Sequence, residues 1–162
     1  MVITVILGSN SGNKAEYIRQ ATHLLIQQTG TLAAFSSLYE TAPWGFESDE
    51  PFLNQVLQLE TGLCPETFLQ QALAIEKSLG RLRPSEVRYA SRTIDIDLLF
   101  CDDEIIRTPS LTVPHPRIAE RRFVLAPLNE IMPGFVHPLL HKPISQLFAE
   151  CNDPLTVKKL PG

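Results

Sequence analysis

TIDIDLLFC, residues 93–101, is the segment that most limits how this chain can fold. It is rich in β-branched and aliphatic residues and follows a charged stretch, which predicts a β-strand. Successive side chains of a strand lie on opposite faces, so Asp95 and Asp97 share one face while Ile94, Ile96 and Leu98 share the other. The segment therefore predicts a half-buried strand that carries two neighbouring carboxylates.

The segments before this strand alternate between strand and helix patterns. Residues 2–7 form an apolar run ended by Gly8-Ser9-Asn10, which we interpret as a buried strand and a turn. The other predicted elements, from hydrophobic periodicity and from Gly and Pro signals, are a helix at 14–28, strands at 32–39 and 52–60, and a helix at 65–79. The order β-α-β-β-α-β predicts an α+β, ferredoxin-like antiparallel sheet with two helices on one face.

The rest of the chain carries weaker signals. Residues 41–51 contain two prolines and a glycine and predict a loop, and residues 81–91 show neither helical nor strand period. Residues 105–113 predict a short strand pair. Six prolines between 114 and 143 predict short, irregular pieces in a C-terminal extension. With 162 residues, we expect one domain spanning 1–162.

Composition excludes several classes of protein. The net charge of -4 and the pI near 5.5 argue against a general nucleic-acid or anionic-membrane partner, since both require a basic surface. No apolar run reaches the ~20 residues of a membrane span, and the N-terminus lacks a signal-peptide pattern, so we expect a cytoplasmic protein. Cys64, Cys101 and Cys151 are far apart and show no disulfide or zinc pattern.

The carboxylate pair is the first candidate for chemistry. Magnesium prefers one or two carboxylates together with water and substrate phosphates, so Asp95 and Asp97 are candidate magnesium ligands. Two solvent-facing carboxylates on a one-sided sheet would give the same D-x-D pattern, and the pair alone does not separate these readings.

Basic residues are concentrated in two stretches, which together hold half of the 14 lysines and arginines. The members are Arg81, Arg83, Arg88 and Arg92, and then Arg117, Arg121 and Arg122. Guanidinium groups bind phosphate oxygens bidentately, so these stretches predict a polyphosphate site within an acidic protein. His115 lies between Pro114 and Pro116 and is a candidate phosphate contact, although a lone histidine is more often structural.

Aromatic residues suggest a second kind of site. Trp44, Phe46 and Phe52 near Asn54 could form a slot that binds a flat heterocycle, although aromatic residues beside a loop are more often part of a core. Residues 8–13 lack the G-K-[ST] of a P-loop, so we interpret them as a turn and not as a phosphate loop.

Several motifs occur together in the order and spacing of one family. They are LGSNSGN at 7–13, YETAPWG at 39–45, FLN at 52–54, IEKSLGRLR at 75–83, RYASRTIDIDLL at 88–99 and LTVPHPRIAERRFVLAPLNEI at 111–131. Over residues 7–131 the chain resembles the 6-hydroxymethyl-7,8-dihydropterin pyrophosphokinases of folate biosynthesis. The resemblance implies transfer of the pyrophosphoryl group of ATP to the pterin hydroxymethyl group, with release of AMP.

The resemblance also implies roles for individual residues. Asp95 and Asp97 would bind two Mg²⁺ ions and, with Arg81, Arg83 and Arg92, form the catalytic set. The ATP site would comprise those three arginines, Glu76, Leu111, Thr112 and His115. The pterin site would comprise Thr41, Pro43, Trp44, Phe52, Asn54, Tyr89, Arg121 and Phe123. The family further implies a monomer whose partners are its two small-molecule substrates.

Two other functions fit the same fold. A ferredoxin-like module could bind RNA or a small effector, but the sequence lacks RNP aromatic motifs and a basic face. A kinase that moves only the γ-phosphate would release ADP, whereas the implied reaction releases AMP. The sequence leaves open whether Asp97 also accepts the proton of the attacking hydroxyl.

Overall fold

A computed structural model describes residues 1–41, 51–80 and 93–161 of the chain. The strands are β1 Val2–Ser9, β2 Gly30–Phe35, β3 Tyr39–Thr41, β4 Phe52–Thr61, β5 Asp95–Cys101, β6 Ile106–Arg107, β7 Thr112–Val113 and β8 Val157–Lys159. The helices are α1 Lys14–Gln28, α2 Pro65–Gly80, α3 Arg122–Ile131 and α4 Ile144–Glu150, with a 3-10 turn at Ile118–Glu120. These bounds confirm the two predicted helices and the short strand pair.

The main sheet is antiparallel, with strand order β5-β1-β4-β3-β8 and with β2 also paired to β4. Strands β2 and β3 pair with different halves of β4 and together take the place of one strand beside β4. Strand β1, at the start of the chain, lies between β4 and β5. This arrangement confirms the α+β, ferredoxin-like sheet.

The predicted single strand at residues 32–39 is wrong in one respect, because the strand is interrupted at residues 36–38. The buried Ser36 continues the pairing across the break: its N–H donates to the Val56 carbonyl at 2.9 Å, and its hydroxyl accepts from the Val56 N–H at 3.0 Å. Glu130 on α3 accepts hydrogen bonds from the Ser37 N–H at 3.0 Å and the Tyr39 hydroxyl at 2.8 Å. Helix α3, which is distant in sequence, thus stabilises the interruption at residues 36–38 through Glu130.

Both faces of the sheet are covered. Helices α1 and α2 pack on one face, where Leu7, Ile18 and Phe68 belong to one buried cluster. A second cluster, which includes Ile6 and Leu128, joins the opposite face to α3 and α4. The alternation of β1 between these two clusters is what a strand buried on both faces requires.

The C-terminal extension is more regular than the prolines predict. Helix α3 continues through Pro127, because its apolar side is buried against the sheet and offsets the hydrogen bond that proline cannot make. Strand β8 then pairs with β3 and becomes part of the sheet. Within the described part of the chain, no helix combines the length and apolarity that crossing a membrane would require.

Candidate active site

The carboxylates Asp95 and Asp97 lie on the sheet face opposite α1 and α2, where three strands place their residues in register. Gly8 on β1 pairs with Asn54 on β4 and with Asp95 on β5, and Ile6 pairs with Asp97. The interpretation of Gly8 as the start of a turn is wrong, since β1 continues to Ser9. A Cβ atom at Gly8 would lie 2.7 Å from the Asn54 Nδ2 atom. Glycine therefore leaves space for the Asn54 side chain.

The carboxylates follow the predicted alternation of β5. Ile94, Ile96 and Leu98 are buried, whereas Asp95 is half-buried and Asp97 is exposed. The N–H of Ile96 donates to Glu76 Oε2 at 2.6 Å. Glu76 on α2 thus fixes the backbone between the two aspartates.

A cavity of about 770 Å³, here called the larger cavity, opens beside the carboxylates. It is lined by every described member of the pterin set implied by the resemblance, namely Thr41, Phe52, Asn54, Arg121 and Phe123. Two of its lining atoms, Thr41 Oγ1 and Asn54 Oδ1, are buried and have no hydrogen-bond partner among the described residues. A buried polar atom left unpaired is costly, so the cavity is suited to a ligand with polar groups on its edge.

A second cavity of about 490 Å³, the smaller cavity, lies on the other side of the carboxylates. It is lined by the described members of the implied ATP set, which are Glu76, Leu111, Thr112 and His115, together with apolar residues of α2. Asp95 and Asp97 line both cavities. The carboxylate pair is therefore the junction between two ligand spaces.

His115 is held in a defined protonation state at this junction. Its Nδ1 accepts a hydrogen bond from the Arg117 N–H at 3.2 Å, so the neutral ring carries its proton on Nε2. Burial lowers the pKa of His115, Asp97 opposes that shift, and Arg121 and Arg117 reinforce it. At neutral pH the imidazole is uncharged and can donate one hydrogen bond through Nε2.

The donor set at the junction fits magnesium better than a transition metal. Across residues 1–41, 51–80 and 93–161, no group of three or more His, Cys, Asp or Glu side chains is placed to hold a metal. Zinc sites need three or four such protein ligands, whereas Mg²⁺ binds through one or two carboxylates and takes its other oxygens from water and phosphates.

Eight candidate site residues lie outside the described residues: Pro43, Trp44, Phe46, Arg81, Arg83, Arg88, Tyr89 and Arg92. The structure also adds residues that the sequence did not indicate. Gly8 lines the larger cavity, as do Glu150, Asn152, Asp153, Pro154 and Leu155 near the C-terminus. These last residues follow the motifs of the resemblance and carry no pattern that could have singled them out.

The fold and the site define an α+β enzyme whose acidic centre joins two ligand cavities. Residues 4–133 match the model of the 7,8-dihydro-6-hydroxymethylpterin-pyrophosphokinase family. The chain belongs to this family. Its members are ATP-dependent enzymes that transfer a pyrophosphoryl group to hydroxymethyldihydropterin in folate biosynthesis, and this is the reaction of the chain.

Individual relatives agree with the family match. The chain is 48% identical over 128 residues to a 2-amino-4-hydroxy-6-hydroxymethyldihydropteridine pyrophosphokinase of Bacillus subtilis, covering 78% of this chain and 75% of that protein. It is 40% identical over 144 residues to the protein of the same name from Aquifex aeolicus, covering 89% and 88%.

A solved structure agrees in fold. The crystal structure of Plasmodium falciparum HPPK-DHPS A437G with SDX-DHP superposes with a TM-score of 0.74 at 17% identity. The match covers 92% of this chain and 45% of that one, so the chain spans less than half of the longer protein. At this identity the likeness supports the fold alone.

Proposed function

We propose that Asp95 and Asp97 bind two Mg²⁺ ions between ATP in the smaller cavity and the pterin in the larger cavity. The observation that carries this proposal is that both carboxylates line both cavities. A reaction that joins two substrates needs its charge-neutralising group where they meet. The monomeric state that the resemblance implies is part of the same proposal.

The pterin assignment follows from the chemistry of the larger cavity. The unpaired Thr41 Oγ1 and Asn54 Oδ1 can hydrogen-bond the amino and ring N–H groups of a pterin edge. Phe52 and Phe123 offer aromatic surface for its flat faces. The guanidinium of Arg121 lies 5.7 Å from the centre of the Phe123 ring, which restrains both side chains. Pro43, Trp44 and Tyr89 join this set on the basis of the resemblance.

The ATP assignment rests on the smaller cavity. Leu111 is buried and Thr112 exposed at its wall, which suits contact with a nucleotide base and sugar. The Nε2–H of His115 can donate to a phosphate oxygen. Arg81, Arg83 and Arg92 are assigned to the triphosphate on the basis of the resemblance, as groups whose charge complements the phosphates.

In the proposed reaction, the pterin hydroxyl oxygen attacks the β-phosphorus of ATP, the bond between the β-phosphorus and the bridging oxygen to the α-phosphate breaks, and AMP leaves with that oxygen. Bound magnesium would neutralise phosphate charge and lower the pKa of the hydroxyl. The chain itself positions the two substrates, and His115 donates to phosphate in its neutral form. The hydroxyl proton passes to Asp97 or to water.

The test is AMP release from ATP, Mg²⁺ and 6-hydroxymethyl-7,8-dihydropterin by the parent, Asp95→Asn and Asp97→Asn. We expect each substitution to lower turnover by roughly a hundredfold or more, as for the loss of other transition-state charge partners. Asp103→Asn is the matched control, because Asp103 is an exposed aspartate in the turn that follows the same strand. Parent-like turnover in either site variant, or ADP as the nucleotide product, would refute the proposal.

A further inference from the structure

The chain beyond α4 forms a wall of the larger cavity. Residues 151–157, here called the C-terminal strap, run from the end of α4 to the start of β8. Four of them, Asn152, Asp153, Pro154 and Leu155, line the larger cavity beside the candidate pterin residues. The strap lies outside residues 4–133, which match the family model.

The first end of the strap is fixed to Arg122, which lies between Arg121 and Phe123 in the sequence. The Arg122 guanidinium donates to the Cys151 carbonyl at 2.9 Å and to the Asp153 carbonyl at 3.1 Å. The Arg122 N–H donates to Asp153 Oδ2 at 3.0 Å. One arginine therefore ties the strap to the segment that carries two candidate pterin contacts.

The second end of the strap is fixed to the opposite wall of the cavity. Val157 begins β8 and pairs with Thr41 on β3, and the Leu160 N–H donates to the Leu38 carbonyl at 2.9 Å. Between the two ends, the Leu155 N–H donates to Asp153 Oδ1 at 3.0 Å. The strap thus spans from Arg122 to Thr41 with both ends and its middle hydrogen-bonded.

We propose that the C-terminal strap is part of the pterin-binding site, with Leu155 as a direct contact and Arg122 as the positioning residue that holds it. This inference rests on the proposed assignment of the larger cavity to the pterin. Leu155 is half-buried, and with Pro154 it gives the cavity an apolar surface near the aromatic residues. A flat, uncharged heterocycle gains binding energy from such contact, whereas the polyphosphate of ATP does not.

The test measures the Kd for 6-hydroxymethyl-7,8-dihydropterin, by its fluorescence, and the KM for ATP in Leu155→Ala and Arg122→Lys. Removing the apolar contact of Leu155 should raise the pterin Kd by roughly five- to tenfold. Lysine keeps the charge of Arg122 but has a single donor nitrogen, so it loses the second bond that Arg122 Nε makes to the Asp153 carbonyl at 3.2 Å, and it should have a similar effect. The KM for ATP should stay within about twofold of the parent.

Three further variants make the outcomes separable. Leu24→Ala and Arg19→Lys, at matched residues of α1 outside both cavities, should leave the pterin Kd unchanged. Asn54→Ala tests the cavity assignment itself: if it leaves the pterin Kd unchanged, the proposed function fails. If Asn54→Ala weakens pterin binding while Leu155→Ala does not, the inference about the strap is overturned. Equal losses for pterin and ATP in Leu155→Ala would show a merely structural role and would also overturn it.

Discussion

Gly8→Ala should damage pterin use without unfolding the protein. Gly8 lies in register between Asn54 and Asp95, and a Cβ there would stand 2.7 Å from Asn54 Nδ2. Ordinary contact begins at 3.4 Å, so the amide has to retreat by at least 0.7 Å (3.4 − 2.7). Since Asn54 is only 4% exposed, the retreat disturbs its hydrogen bond to the Leu7 carbonyl, which measures 3.3 Å.

The expected loss follows from that displacement. Losing one hydrogen bond costs about 1 kcal/mol of folding stability, which a domain of this size tolerates. Misplacing a substrate-positioning group by close to 1 Å costs roughly a hundredfold in rate. We therefore expect kcat/KM for the pterin to fall by roughly a hundredfold, with a smaller change in KM for ATP.

The assay is steady-state AMP release with each substrate varied in turn, with circular dichroism to monitor folding. Gly62→Ala is the matched control: a Cβ at Gly62 would meet nothing within 4 Å, so this variant should keep the parent kcat/KM. A parent-like kcat/KM for the pterin in Gly8→Ala would refute the reasoning. So would a loss of the same size in Gly62→Ala.

Three other predictions concern stability, metal use and cysteine reactivity. Burial alone would raise the pKa of Glu130, but hydrogen bonds from Tyr39 and Ser37 and the charge of Lys159 lower it below the usual 4.5. The ionised Glu130 therefore stabilises the folded protein at pH values above 4.5. This stabilisation is lost as the pH falls through the pKa of Glu130 in the folded protein. Urea unfolding across pH 3–6 should show a weaker pH dependence in Glu130→Gln, and an unchanged slope would contradict this assignment. Glu76→Ala removes the acceptor of the Ile96 N–H and should raise the Mg²⁺ concentration for half-maximal activity by roughly tenfold, checked by magnesium titration. A thiol reagent should modify the exposed Cys64 before the buried Cys101. The hydrogen bond to Thr67 lowers the pKa of Cys64, whereas burial raises the pKa of Cys101 to about 12. Mass spectrometry that finds Cys101 modified first would contradict this prediction.

Local patterns account for most of the fold. The helix at 14–28 and the alternation of Asp95 and Asp97 depend on residues close in sequence, and the structure confirms both. The interruption at residues 36–38 depends on Glu130, which is 93 residues away from Ser37, and no local pattern could predict it. Helix α3 likewise continues through Pro127 because of tertiary burial.

The candidate site was predicted less completely, for a similar reason. The motifs placed described residues on both sides of Asp95 and Asp97, and their individual roles stay predictions. The space that Gly8 leaves for Asn54 depends on the register of β1 with β4, which a single strand pattern does not contain. The C-terminal strap depends on hydrogen bonds from Arg122 to residues 29 and 31 positions later.

Asp95 and Asp97, in the proposed reaction, form one metal site serving two substrates. Its most direct test counts bound Mn²⁺, used in place of Mg²⁺, by electron paramagnetic resonance in the complex with a non-hydrolysable ATP analogue and the pterin. We expect two ions per chain in the parent and fewer than two in both Asp95→Asn and Asp97→Asn. Two tightly bound ions in either variant, with the parent affinity, would contradict the claim.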